Sequence, residues 1–397
     1  MMDIAGGVYR EKCAYPAWDR LFGSGLRAAA AVSGLSKGVR LHTYAPLDWI
    51  DSVRSSAAAF GISAAVTSSE EDIEFSYFHP MSRAVLSPAH PKEMPPISVT
   101  GDAVLRFGFV EGTAIVRGRR VVFDPQTGSG VERFGANGSM AEELALVLNG
   151  WEAEQATGLP ALEAGPELLK SQDAAVVITK LGPEGARVFM RGQEPVTVPS
   201  YMSDRVFKIG SGDVFSAMFA LHWAERGVEP AVAADIASRS VAHFVNRHRL
   251  PVPVSEEMEH GRAIHPKASP GKVYLAGPFF TLSQRWLIEE TRDALFGLDL
   301  DVFSPLHDAG TGHSAVSLAD ADLRGLDGSA VVLALVDGHD PGTIFEIGYA
   351  RKANIPVIVL AERFDGYHRT MFEGTGCHIE DDYTTALYRA AWTAWSA

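Results

Sequence analysis

The sequence predicts an α/β protein, and three observations carry that prediction. Short β-branched and apolar runs alternate with longer helical patterns over almost the whole 397 residues, the arrangement that packs helices against a mostly parallel sheet. Five of these runs read as buried strands: Leu144–Leu148, Ala174–Thr179, Val273–Ala276, Ala330–Val336 and Pro356–Leu360. Each ends in residues that turn the chain or cap a helix. The pattern breaks between Leu250 and Lys272, where prolines, glycines and charges replace periodic apolar residues. A first domain over 1–253 and a second over 272–397, joined by a connector over 254–271, are therefore expected.

With 46% hydrophobic and 21% charged residues, the chain has enough apolar surface for more than one core. Its 35 Lys+Arg against 49 Asp+Glu give a net charge of −14, which argues against broad capture of nucleic acid or an anionic membrane. A local basic pocket for a phosphate remains compatible with that balance, so the expected partner is a small molecule. The two cysteines, Cys13 and Cys377, build neither a disulfide framework nor a cysteine-rich zinc site, and a reducing cytoplasm is the expected location. The opening MMDIAGGVYREK lacks a leader pattern, and no apolar run reaches the ~18 residues that span a bilayer. His307 and His313 lack companions at metal-ligand spacing and read as surface or loop histidines.

In the first domain, Lys208-Ile209-Gly210-Ser211-Gly212-Asp213 precedes the apolar stretch VFSAMFALHWA. Small residues open a helix there, and the free N–H groups of a first turn favour a phosphate. Asp213 is placed to accept a hydroxyl proton as that hydroxyl attacks a phosphoryl group. The same residues also admit a structural reading, with Ser211 as N-cap and Asp213 complementing the helix dipole. Two further segments are Asn149-Gly150-Trp151-Glu152, which doubles as a capping box, and Thr179-Lys180-Leu181-Gly182-Pro183-Glu184-Gly185.

Together with Gly210–Asp213, these segments resemble the ribokinase-like (PfkB) carbohydrate and nucleoside kinases. The resemblance implies a three-layer α/β/α domain using ATP and Mg2+, with Asn149 and Glu152 tied to phosphate and, for Glu152, indirectly to the metal. It places Thr179, Gly182 and Gly185 near ATP, makes Gly210, Ser211 and Gly212 the anion hole, and makes Asp213 the base. Gly23-Ser24-Gly25-Leu26-Arg27-Ala28 looks like the family's sugar-contacting stretch, with Gly25 as the contact. One departure is that Phe207-Lys208-Ile209 stands where the family has an acidic residue, so that Lys208 would offer positive charge to a phosphate instead. An active sugar or nucleoside kinase and a domain that binds nucleoside, sugar or nucleotide without turnover both stay open. The aromatic segment Glu74–His79 reads either as a substrate lid or as a satellite core.

In the second domain, the strand around Tyr274 runs into Gly277-Pro278-Phe279-Phe280 and a helix, where ligands of open α/β sheets gather. Ala319-Asp320-Ala321-Asp322 is expected before a helix turn. Asp337 ends the next strand, Asp340 lies in a glycine-bearing loop, and Glu346 falls in the opening turn of the following helix. Such carboxylates can attack a sugar C1′ and manage protons at a leaving base. The structural alternative is a Thr343–Glu346 capping box.

The pattern over residues 272–351 resembles the nucleoside 2-deoxyribosyltransferase family, which implies a smaller flavodoxin/Rossmann-like parallel-sheet domain. Glu346 would be the nucleophile that becomes glycosylated, Asp322 and Asp340 would position and protonate the base, and Tyr274 would support the nucleophile. Gly277, Phe279, Phe280 and Gly342 would shape the pocket, and Asp337 would shape the loop or hold a sugar hydroxyl. Ser283 and Arg285, at the next helix start, could receive a 5′-phosphate. No cofactor is implied here. A homo-oligomer is, with the site completed by a neighbouring copy around Met371–Cys377, where Thr375 is the candidate. Transfer to a second base, hydrolysis by water and destruction of a nucleotide or NAD remain open, as does a first domain that only senses a nucleotide or nucleoside and regulates the second.

Overall fold

The computed structural model describes residues 1–126, 130–258, 260–310, 314–363 and 366–397, so His313 lies outside the described residues. Two compact units emerge, Met1–Ser203 with Phe207–Arg262, and Asp204–Val206 with Ala263–Ala397. The division falls inside the expected connector, and the three residues Asp204–Val206, expected in the first domain, group with the second.

The first unit begins with β1 (Met2–Ala5), β2 (Arg10–Cys13), β3 (Trp18–Leu21), α1 (Gly23–Val32), β4 (Val39–Pro46), α2 (Ile50–Ala59) and β5 (Ser63–Ser69). The chain continues through β6 (Glu74–Tyr77), β7 (Val85–Ser87), β8 (Ile97–Phe107), β9 (Ala114–Asp124), β10 (Met140–Asn149), α3 (Gly150–Thr157) and α4 (Ala161–Ser171). It closes with β11 (Val176–Lys180), β12 (Ala186–Met190), β13 (Val196–Val198), the two-residue β14 (Ser200–Tyr201), α5 (Ser211–Phe219) and α6 (Pro230–Arg247).

Nine of these strands form one sheet in the order β13-β12-β11-β10-β9-β8-β1-β4-β5. All neighbours from β11 to β5 pair in parallel, and at one edge the β11–β12 and β12–β13 pairs are antiparallel, so β12 alone runs against the sheet. The central strands are apolar through both faces, as a sheet covered by helices requires; Leu144, Leu146 and Leu148 of β10 pack with Val104, Val121 and Phe123. A separate four-stranded sheet, β3-β2-β6-β7, contains the aromatic segment expected around Glu74–His79, and Phe75 packs on Tyr9 with ring centroids 5.2 Å apart.

The second unit contains β15 (Ala263–Ile264), β16 (Val273–Ala276), α7 (Leu282–Phe296), β17 (Val302–Phe303), α8 (Ala315–Asp327) and β18 (Val331–Leu335). Then follow α9 (Pro341–Lys352), β19 (Val357–Leu360), α10 (Gly366–Gly374), β20 (His378–Glu380) and α11 (Tyr383–Ser396). Its five-stranded sheet is parallel throughout, in the order β17-β16-β18-β19-β20. Counted within the unit that order is 2-1-3-4-5, so the strand order reverses between β16 and β18, and connections leave those two strands in opposite directions. A crevice opens at the carboxyl ends of such a pair. Among the described residues, both cysteines are free thiols and no helix is long and apolar enough to cross a membrane.

Gly25 illustrates how tightly the first unit closes. Its N–H donates to the Gly7 carbonyl at 2.9 Å, and a Cβ added to it would lie 2.3 Å from the Gly6 oxygen. The observed place of Gly25 is thus a close helix-to-strand contact. Gly25→Ala should destabilise the protein by about 1–3 kcal/mol, the usual cost of overpacking. Chemical denaturation measures it, and an unchanged midpoint would mean that α1 backs away from β1 freely.

Candidate active site

The second unit builds its site around Tyr274 and Glu346. Tyr274 and Ala276 alternate to the same face of β16 and enter the core with Val332 and Ala334 of β18. On α9, Thr343, Ile347 and Ala350 form the buried stripe, and Glu346 shares that side of the helix because residues three and four apart are neighbours. The two elements meet where the Tyr274 hydroxyl donates to Glu346 Oε1 at 2.7 Å. Phe303 stacks on the Tyr274 ring at 5.3 Å and 16°, and the two residues are register partners across β16 and β17. Gly325 of α8 leaves the room for this, since a Cβ there would lie 2.5 Å from the Phe303 ring.

Burial pushes the Glu346 carboxyl up to about 7; the Tyr274 hydrogen bond opposes that push, and the charges of Asp322 and Asp340 add to it. Burial, together with the adjacent Glu346, also raises the Tyr274 phenol far above its ordinary range, so it acts as a donor. Asp322 is raised by burial as well, and its Oδ1 is buried without a hydrogen-bond partner among the described residues. A buried oxygen left in that condition is costly unless a ligand supplies the missing donor.

Three expectations about these carboxylates are corrected. Asp322 lies inside α8, one turn before the buried Leu326, and does not precede a helix. Glu346 falls in the second turn of α9, beyond the opening one. The cap of α9 is Asp340, whose Oδ2 accepts from the Thr343 N–H at 2.8 Å and from its hydroxyl at 3.0 Å, so no Thr343–Glu346 capping box forms. Glu346 is thereby free of any capping duty.

The other residues expected at the site have these surroundings. Asp337 accepts from the N–H groups of Glu362 and Arg363, at 3.0 and 3.1 Å, tying the loop after β18 to the loop after β19. A Cβ on Gly277 would crowd Ile288 and Leu335, and one on Gly342 would lie 3.0 Å from Asp340 Oδ2. Phe279 is half-buried and Phe280 exposed, with ring centroids 5.1 Å apart. Arg285 donates through Nε to the Phe279 carbonyl, and Ser283 Oγ lies 3.1 Å from Thr281 Oγ1, beside the Thr281–Gln284 capping box of α7. Thr375 is exposed, its hydroxyl donating to the Met371 carbonyl at 2.7 Å. His307 pairs with Glu289 at 3.0 Å, and among the described residues no three His, Cys, Asp or Glu side chains gather as a metal site.

In the first unit, Gly210 in a left-handed conformation caps α5, so Ser211 is the first helical residue and not the N-cap. Asp213 is buried and fully engaged: Arg27 Nη1 donates to Oδ2 at 2.6 Å and Gln126 Nε2 to Oδ1 at 2.6 Å. Arg27 also pairs with the buried Glu11, and burial alone would pull its pKa down, but the two carboxylates hold it more firmly protonated. A Cβ on Gly210 would strike Arg27. Asn149 and Glu152 form the expected capping box at 2.8 Å in both directions. Thr179 has a buried hydroxyl with no partner among the described residues, Gly182 and Gly185 both adopt positive φ, and a Cβ on Gly185 would lie 2.1 Å from the Val198 oxygen. Lys208 accepts from the Ser211 N–H through its carbonyl, while Phe207 packs among Trp18 and His248.

Sequence reading missed four residues of this region: Glu11, Arg27, Asp124 and Lys180. Arg27 and Lys180 stood inside the motifs quoted, but nothing local marks a partner 186 or 56 positions away.

Residues 273–385 match the family model for nucleoside 2-deoxyribosyltransferase. Solved structures similar to the chain include ribokinase from Thermotoga maritima, at 17% identity and TM-score 0.47 over 66% of this chain and 96% of that one. Arabidopsis thaliana ribokinase complexed with ribose and ATP matches at 15% and 0.48, over 63% and 95%. A pyrophosphate-dependent kinase in the ribokinase family, complexed with a pyrophosphate analog and myo-inositol, matches at 14% and 0.46, over 65% and 100%. No curated protein matches the chain.

The raised Glu346 fixes the sign of a stability effect. Its ionisation opposes folding, by nothing below the ordinary value of 4.5 and fully above about 7. Glu346→Gln should therefore stabilise the protein by about 1–3 kcal/mol at pH 8 and by much less near pH 5, as read by denaturant titration at both pH values. Equal effects at the two pH values would contradict the buried carboxyl.

Proposed function

We propose that the second unit, a nucleoside 2-deoxyribosyltransferase domain by its family match, cleaves or transfers at the N-glycosidic bond of a (deoxy)nucleoside or its 5′-monophosphate. The observation that carries this reading is the juxtaposition of Glu346, held by Tyr274, with the unpartnered oxygen of Asp322. Tyr274 occupies Oε1, which leaves Oε2 of the ionised Glu346 to attack C1′. The C1′–N bond breaks, its electron pair leaves with the base, and a proton from Asp322 neutralises the base. A second base or water then attacks C1′, the ester to Glu346 opens, and the incoming group's proton returns to Asp322. Burial serves both steps, since a dry crevice strengthens the field of Glu346 on the oxocarbenium-like carbon. Asp340 caps the helix whose second turn carries Glu346.

Phe279 and Phe280 supply an aromatic cover for the base, and Arg285 keeps guanidinium nitrogens beside α7 for a 5′-phosphate. The exposed apolar side chains of Phe280, Leu282, Phe345 and Met371 support assembly with further copies of the chain.

For the first unit, the engagement of both Asp213 oxygens favours binding of a sugar, nucleoside or nucleotide without turnover, with regulation of the second unit, over phosphoryl transfer with Asp213 as base.

Incubation with nucleosides, deoxynucleosides, their monophosphates and NAD, followed by chromatography for free base or nicotinamide, should show release that Glu346→Ala lowers by about a thousandfold or more. That release should climb with pH as Glu346 ionises, around 7, and fall again where Asp322 gives up the proton it donates to the base. Absence of release from every substrate would sink the reading. Across a sugar and nucleoside panel, ATP consumption should be no greater in the wild type than in Asp213→Asn; turnover lost in that variant would restore the kinase.

A further inference from the structure

We propose that Lys180 is a built-in cation standing where a divalent metal would be expected in the first unit, so that this unit binds neither Mg2+ nor Mn2+ at Asp124 and Glu152. The inference rests on the non-catalytic reading of that unit and extends it to the metal. It begins from Lys180 and Asp124, which neither the proposed chemistry nor the sequence motifs assigned.

Lys180 ends β11, beside β10, whose last residue Asn149 caps the helix that carries Glu152. Its ammonium donates to Asp124 Oδ2 at 2.8 Å, and Asp124, the last residue of β9, is fully buried. Ser216 of α5 donates to the same Oδ2 at 2.6 Å. Glu152 is buried too, and Asp124 and Lys180 both act on it electrostatically. At the first turn of α5, a Cβ on Gly212 would lie 3.6 Å from Lys180 Nζ. One ammonium therefore sits among the two carboxylates and the helix start at which a metal would have to be held.

Chemistry makes that placement exclusive. A buried carboxylate pair needs a compensating positive charge, and once a tethered ammonium supplies it, a divalent ion gains little and must evict a group bonded at close range. Oδ2 of Asp124 already carries two donors, so a metal taking that oxygen has to displace the Lys180 ammonium or the Ser216 hydroxyl, and one beside Oδ1, which has no partner among the described residues, meets the ammonium's positive charge. Glu152 has Oε2 committed to the Asn149 N–H. Across the same helix start, Arg27 engages Asp213, so both acidic centres of the unit are answered by its own cations. Mg2+ does not fit the residues present.

The experiment is a Mn2+ titration of the full chain in metal-free buffer, followed by the electron paramagnetic resonance signal of free Mn2+. The wild type should show no saturable site that Glu152→Gln removes. Lys180→Ala should gain one Mn2+ per chain, and Glu152→Gln in the same chain should abolish that gain. Lys180→Met, which keeps the aliphatic stem, serves if Lys180→Ala does not give a native circular dichroism spectrum. A saturable wild-type site lost in Glu152→Gln overturns the proposal, as does a natively folded Lys180 variant that gains nothing. Metal uptake by the wild type without Asp213-dependent turnover would remove this proposal and leave the non-catalytic reading standing.

Discussion

Removing a carboxyl group from water is the constraint around which the second unit is organised. Glu346 carries its negative charge only against the pull of burial, and among the described residues its donor is the Tyr274 hydroxyl. That hydroxyl is worth having only if the ring beneath it is immobile. The stack on Phe303 and the gap left by Gly325 provide this, so a glycine on one helix and an edge strand both serve a carboxyl group on another helix. The strand order reverses between β16, which carries Tyr274, and β18.

The first unit meets the same electrostatic problem in the opposite way. Where the second unit leaves the Glu346 carboxyl without a cation among the described residues, the first pairs Asp213 and Glu11 with Arg27, and Asp124 with Lys180. Breaking such a buried pair leaves an uncompensated charge, so these contacts resist exchange for solvent or ligand. Perturbed carboxyls mark sites of chemistry in general, but their surroundings decide whether the perturbation is put to use.

Much of this was legible in the chain itself. β16 spans the residues expected of it, Val273–Ala276, and the other four expected strands differ from those observed by a few residues at their ends. These are buried parallel strands whose apolar runs have little else to become. The capping of α9 was misread because Thr343 and Glu346 have the right spacing, although Pro341 carried the better signal: proline favours the first helical position and makes the preceding Asp340 the cap. Arg27 escaped notice for a different reason. A guanidinium beside glycines says nothing about a carboxylate brought to it by a distant helix, and pairing across the fold has no local signature.

The tie made by Asp337 has a thermodynamic corollary. Its two backbone acceptances fasten the loop after β18 to the loop after β19. The conformational freedom of those two loops is given up during folding, so a molecule that met them would spend none of its contacts on ordering them.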